Sequence, residues 1–410
     1  MRAFFYIFLC TSELLVVSKL GDLDIGLQNW APAAREILSF NFPTSNFYGP
    51  GAAISLIPFL WAGPDSFIAN LFYFALGSFA YYLLCKYIDN NKLRLIALSA
   101  LPFNVYLIWL CYSSQDTVIE FCFLLWMILF LIQKKYLAYT FAGFILCETR
   151  SSYWALFLGL ALYSLIISFK RKHRINYRMT LAIPLLFITS TTNFIVYDSP
   201  SPALVGGITQ YFSFTKYHYL SLPKMDMDVF LSGPNGSFSS GIGPFIPPNS
   251  SEAQADSIYR QAAIDSVISN PKETILSLMQ KFDSYVFDVQ KIPHLPGAYV
   301  LDQKNMTIKI KDERLYWNLV IGNLLYALYR SFLLLVGLIA LGLYIFPRVL
   351  RLNEIEPNLK KLLLPWLFGL VPGLLLFTET RYKIVSELIL VPLICQVWAK
   401  FLELKKSLIK

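Results

Sequence analysis

The chain has 410 residues, of which 56% are hydrophobic, 16% aromatic and 15% charged. A soluble domain of this size carries about 25% charged residues, so the composition points away from an ordinary soluble enzyme. The formal net charge is +9, but the basic residues stand in short clusters between apolar runs rather than in one patch, so no nucleic-acid partner is expected.

In chain order, apolar runs suggest spans at 3–18, 67–85, 95–112, 118–132, 137–149, 153–169, 179–197, 320–346, 362–378 and 384–400, each near the length that crosses about 30 Å of hydrocarbon. The expected fold is therefore an all-α polytopic membrane protein, a bundle of about ten transmembrane helices. The first run has no small-residue cleavage site and reads as a retained signal anchor. Basic clusters at Lys86/Lys92/Arg94, Lys134/Lys135, "KRKHRINYR" (170–178), Arg348/Arg351/Lys360/Lys361 and "KKSLIK" fall on one side of that map. By the positive-inside rule that side, with both termini, is cytoplasmic. Between the first two spans, Ile25, Leu27, Trp30, Ala33 and Ile37 repeat at helical spacing and suit a helix lying in the outer interface. The six cysteines lie in or beside apolar runs without metal-ligand spacing, and no disulfide framework is expected.

Three regions follow: an N-terminal membrane module at 1–197 containing a first outer loop at 19–66, an extracytoplasmic segment at 198–316, and a C-terminal membrane module at 317–410. The outer segment opens with the Pro/Gly/Ser-rich "SGPNGSFSSGIGPFIPPNSS", which reads as loop. A serine cap then starts a helix at "SSEAQADSIYRQAAIDSVIS", and "NPKETILSLMQKFDSYVF" starts a second with proline at its first position. "MTIKIK" alternates as a strand does.

Charged residues that interrupt the apolar pattern gather at one depth. Asp22 and Asp24 follow the first run, and Asp116 stands in "CYSSQDTVIEF". Glu148 and Arg150 top the hairpin of the fifth and sixth spans, Arg330 lies near the outer end of the eighth, and Glu379 and Arg381 stand in "FTETRYK". Ionisable residues at membrane depth face a cavity or a partner and point to a functional site. Carboxylates can serve as a general base toward a hydroxyl, and arginine offers a planar fork suited to phosphate. Such a mixture suits a substrate with a lipid tail, a phosphate and a polar head. Each group also has a plainer role: Asp24 as a helix cap, Asp116 as a loop residue, and Glu148–Arg150 and Glu379–Arg381 as local ion pairs. Glu13, Glu120 and Glu387 read as packing residues inside spans. His218 and His294 have no ligand-like neighbours.

In these motifs the chain resembles the GT-C superfamily of integral membrane glycosyltransferases, closest to its protein O-mannosyltransferase and lipid A aminoarabinose transferase branch. That branch has an acidic residue just after the first span and then an interfacial helix, here "GDLDIGLQNWAPAAREIL". A Tyr-Pro-rich approach to the next membrane segment corresponds to "FYGPGAAISLIPFLWAG". A second outer acidic residue corresponds to Asp116, a basic residue in the following turn to Arg150 in "CETRSSYW", and an Arg-Tyr pair before the last span to "TETRYKIVSELILVP". The family pattern often has tyrosine where Gln28 stands, and its Tyr-Pro-Pro is reduced to Tyr48-Gly49-Pro50.

The resemblance implies inverting transfer of a sugar from a polyprenyl-phosphate donor to a glycan, lipid or protein acceptor at the outer face of a plasma membrane, bacterial by expectation. The catalytic carboxylates would be Asp24, Asp22 and Asp116, with Asp24 favoured over Asp22 by its spacing to "AREIL". Arg150, Arg381 and Arg330 would bind the donor phosphate, while Tyr48, Glu379 and Tyr382 would line the substrate site. The resemblance admits a divalent cation without requiring one. An O-antigen polymerase or ligase also fits a long outer loop with arginines, but leaves the acidic motif after the first run without a purpose. A secondary transporter would show inverted repeats and broken midplane helices, and neither is evident.

Overall fold

A computed structural model describes residues 1–19, 30–44, 49–62, 67–113, 115–171, 177–204, 251–287, 299–302, 307–310 and 384–409, with single positions between 207 and 211 and between 313 and 362. In chain order the helices are α1 (Arg2–Lys19), α2 (Ala31–Leu38), α3 (Gly51–Leu56, running into a 3₁₀ turn at Ile57–Ala62), α4 (Ile68–Cys85) and α5 (Asn91–Ser99). They continue with α6 (Val105–Ser113), α7 (Gln115–Ile132), α8 (Tyr136–Thr149), α9 (Tyr153–Arg171), α10 (Tyr177–Thr180) and α11 (Ala182–Tyr197). After these come α12 (Glu252–Ser269), α13 (Pro271–Phe287), a hairpin of β1 (Tyr299–Asp302) and β2 (Thr307–Ile310), and α14 (Ile384–Ile409).

Local chemistry sets several of the ends. The Asn90 side chain accepts hydrogen bonds from the backbone of Lys92 and Leu93 and starts α5. Pro102 lies between α5 and α6, and Asn104 caps the restart by accepting from Leu107 N at 3.1 Å. Ser251 and Gln254 form a reciprocal capping box on α12, as expected of that serine. α13 begins at the expected Pro271. Within the "MTIKIK" alternation Thr307–Ile310 is a strand, and it pairs antiparallel with β1, Tyr299 opposite Ile310. The described residues are thus not all helical.

α7 is the central helix, packed against α8 and α4, while α1 lies on α4 and α6, and α14 on α5. Phe74 of α4 stacks on Phe121 of α7 with ring centroids 5.4 Å apart. Gly77 makes room for that contact, since a Cβ there would collide with the Phe121 ring. Tyr81, Tyr139, Phe157, Leu14 and Leu84 complete the fully buried centre.

The expected bundle of about ten transmembrane helices is not what the structure holds. Among the described residues two helices are long and apolar enough to cross a membrane, Ile68–Cys85 and Arg178–Tyr197. The run at 95–112 is split by Pro102, and α5 and α6 have 9 residues each, about 14 Å of helix against about 30 Å of hydrocarbon. α8 has 14 residues, and the described apolar stretches of α9 and α14 are Tyr153–Leu162 and Glu387–Ala399. α1 carries Arg2, Glu13 and Lys19 along its 18 residues. The apolar positions of α7, from Val118 to Ile132, are largely buried against neighbouring helices. The expected spans at 320–346 and 362–378 lie almost wholly outside the described residues. The cause is physical: a helix apolar on every side is either a membrane span or a core helix, and much of this hydrophobicity faces protein.

Candidate functional site

Two helix ends far apart in sequence meet in one charged cluster. Asp116 lies in the first turn of α7, where a negative charge is favoured by the helix dipole. Glu120 follows one turn later on the same face. Arg150 stands immediately after α8 in extended conformation (φ −136°, ψ 104°). Its N–H donates to Leu146 O at 2.8 Å, and its own carbonyl accepts from Tyr153 N at 3.0 Å. That tight turn aims the guanidinium at α7.

Arg150 Nη2 lies 3.0 Å from Asp116 Oδ2, and Nε lies 2.8 Å from Glu120 Oε2. Nη2 also donates to Thr117 Oγ1 at 3.1 Å. The other Glu120 oxygen accepts from the Tyr153 hydroxyl. Burial is graded: the Glu120 side chain is 1% exposed, Arg150 7% and Asp116 30%. Among the described residues two carboxylates face the one guanidinium, and the more exposed of them is Asp116. A charge-assisted pair fixes the direction of such a carboxylate. A partly exposed, oriented carboxylate can take a proton from a hydroxyl.

A second feature braces the same helix end. Gly49 has φ +84° and Gly51 opens α3, and a Cβ at either would collide with the backbone of Glu148 or Thr149. Glycine is needed at both: one for its left-handed backbone, the other for the close approach. Glu148 itself is buried and accepts from Thr189 Oγ1 of α11 at 2.8 Å. The last turn of α8 is therefore held by α3 on one side and α11 on the other.

Of the sequence-derived candidates, Asp116 and Arg150 are described, and the structure brings them into contact. Asp22, Asp24, Tyr48, Arg330, Glu379, Arg381 and Tyr382 lie outside the described residues. The local Glu148–Arg150 pair does not form; among the described residues Arg150 pairs with Asp116 and Glu120. Glu120, read as a packing residue, is the most buried charge of the cluster, and Tyr153 and Thr117 also belong to it. Their signal was the spacing: Asp116 and Glu120 four apart, Arg150 and Tyr153 three apart across a turn. Among the described residues no three His, Cys, Asp or Glu side chains lie close enough to share a metal ion.

No protein-family model, curated protein or solved structure matches the chain.

Proposed function

We propose that the chain is a membrane-embedded glycosyltransferase of the GT-C kind, moving a sugar from a polyprenyl-phosphate carrier to an acceptor hydroxyl. The observation that carries the reading is the buried Glu120–Arg150 pair presenting the partly exposed Asp116 carboxylate. Asp116 accepts the acceptor's proton as its oxygen attacks the anomeric carbon, and the lipid phosphate leaves with the bonding electrons. The attack inverts that carbon. A phosphate is a competent leaving group, so the site needs electrostatic support more than an acid.

The described surroundings favour a changed role for Arg150. Already flanked by two carboxylates, it suits the holding of Asp116 better than the capture of a phosphate. Donor phosphate binding then falls to Arg381 and Arg330, with Asp24 and Asp22 as further carboxylates, Tyr48, Glu379 and Tyr382 at the substrate, and a divalent cation optional. The two span-length helices support an integral membrane protein.

The test is chemical: lipid-linked sugars extracted from cells with and without the protein are compared. A polyprenyl-phosphate sugar that accumulates without the protein, and is consumed when the purified protein is added, is the expected result. An unchanged pool would overturn the reading.

A further inference from the structure

α2 ends in a backbone turn that ordinarily calls for glycine. Phe40 N donates to Ile37 O at 3.0 Å and Asn41 N to Glu36 O at 2.9 Å, the bonding pattern of a Schellman motif. The residue in the left-handed position is Phe40, with φ +60°. A bulky residue there is an outlier, and such strain persists only where the surroundings impose it. They do so here. Glu36 accepts from Thr44 N at 2.8 Å and Thr44 Oγ1 at 3.3 Å, while Pro43 O accepts from the Tyr197 hydroxyl at 2.7 Å.

That rigid turn presents apolar groups to the outside. Phe40 is 98% exposed, Phe42 61% and Leu38 57%, and Trp61 on the adjoining 3₁₀ turn is 77% exposed. The helical positions expected to face lipid, Trp30, Ala33 and Ile37, instead pack inward around Ala31, Ala34, Ala53 and Leu56. The outward apolar surface is therefore the turn after the helix.

Its neighbour says what covers it. α11 exposes Ile183, Phe187, Ile188, Phe194 and Ile195, which recur at 4, 7 and 11 residues along one face and belong to a span-length helix. The far end of that face is Tyr197, the residue bonded to the turn. Tyrosine and tryptophan collect where hydrocarbon meets headgroups. Arg35, exposed on α2 one turn before Ser39, supplies a cation at the level where phospholipid phosphates lie.

We propose that the 38–42 turn, with Trp61, dips into the phospholipid boundary at the Tyr197 end of α11 and fixes the depth of α2 in the membrane surface. This depends on α11 lying in hydrocarbon, but not on glycosyl transfer, so the two readings fail separately.

The test places an environment-sensitive fluorophore at Phe40→Cys in the full chain in phospholipid nanodiscs, the six native cysteines being buried. Phe42→Cys serves as a second site should the strained position not tolerate cysteine, and Lys92→Cys, on an exposed residue, as the aqueous control. The expected result is strong quenching at 40 and 42 by lipids brominated on their acyl chains, with little quenching by aqueous iodide. Iodide quenching equal to the Lys92 control would overturn the proposal. So would shielding from both quenchers, which would mean that protein covers the turn.

Discussion

Neutralising Glu120 is the sharpest probe of how the charged cluster is built. Glu120→Gln keeps an oxygen for the Tyr153 hydroxyl but removes the charge facing Arg150 Nε at 2.8 Å. Breaking a buried ion pair from one side costs about 3–5 kcal/mol, because the remaining charge is left without compensation. Asp116 still faces the guanidinium, but at 30% exposure it resembles a surface partner worth about 0.2–1 kcal/mol. The net cost of Glu120→Gln is then about 2–4 kcal/mol. Asp116→Asn should cost about 1 kcal/mol or less. Thermal unfolding of the purified variants in one detergent, followed by tryptophan fluorescence, ranks them. Asp116→Asn unfolding as early as Glu120→Gln, or Glu120→Gln unfolding with the wild type, would refute the assignment of Glu120 as the buried anchor.

Gly51→Ala should destabilise the protein by several degrees in the same assay, since its Cβ would meet the Thr149 backbone, which cannot swing aside as a flexible side chain would. An unchanged melting temperature would mean that α3 is not seated on the end of α8. Burial raises the Asp256 carboxyl above its ordinary range, against the opposing pull of Gly207 N–H and Arg260. The folded chain then holds that proton more tightly than the unfolded one, so Asp256 contributes most stability at acid pH. The contribution falls as the pH rises from about 3.9 through the raised value. Asp256→Asn should remove that slope from melting curves taken across this window, and an identical pH dependence in the variant would refute it.

How far the sequence reached is clearest at particular residues. Ser251 and Pro271 start helices where their local chemistry says they should, because a cap or a proline needs no distant partner. Asp116 and Arg150 were legible as members of one site, since charge in an apolar chain is costly wherever it lies. Their mutual contact was not, because it depends on how α7 and α8 pack. Glu120 was hidden for the same reason: a lone carboxylate within an apolar helix looks like packing until its partner is known. Hydropathy also could not tell the buried apolar surface of α7 from the exposed stripe of α11, as both are helices with few charges. The Phe40 turn left no sequence signal, since glycine is what normally marks it.

The central claim is that Asp116, held by Arg150, takes the acceptor's proton. It is tested most directly by sugar transfer from a polyprenyl-phosphate sugar in nanodiscs, comparing wild type with Asp116→Asn and measuring donor binding on the same samples. Loss of a positioned general base should slow turnover by about 10²–10⁴-fold while donor affinity and folding stay near wild type. Turnover of the variant within a few-fold of wild type would contradict the account.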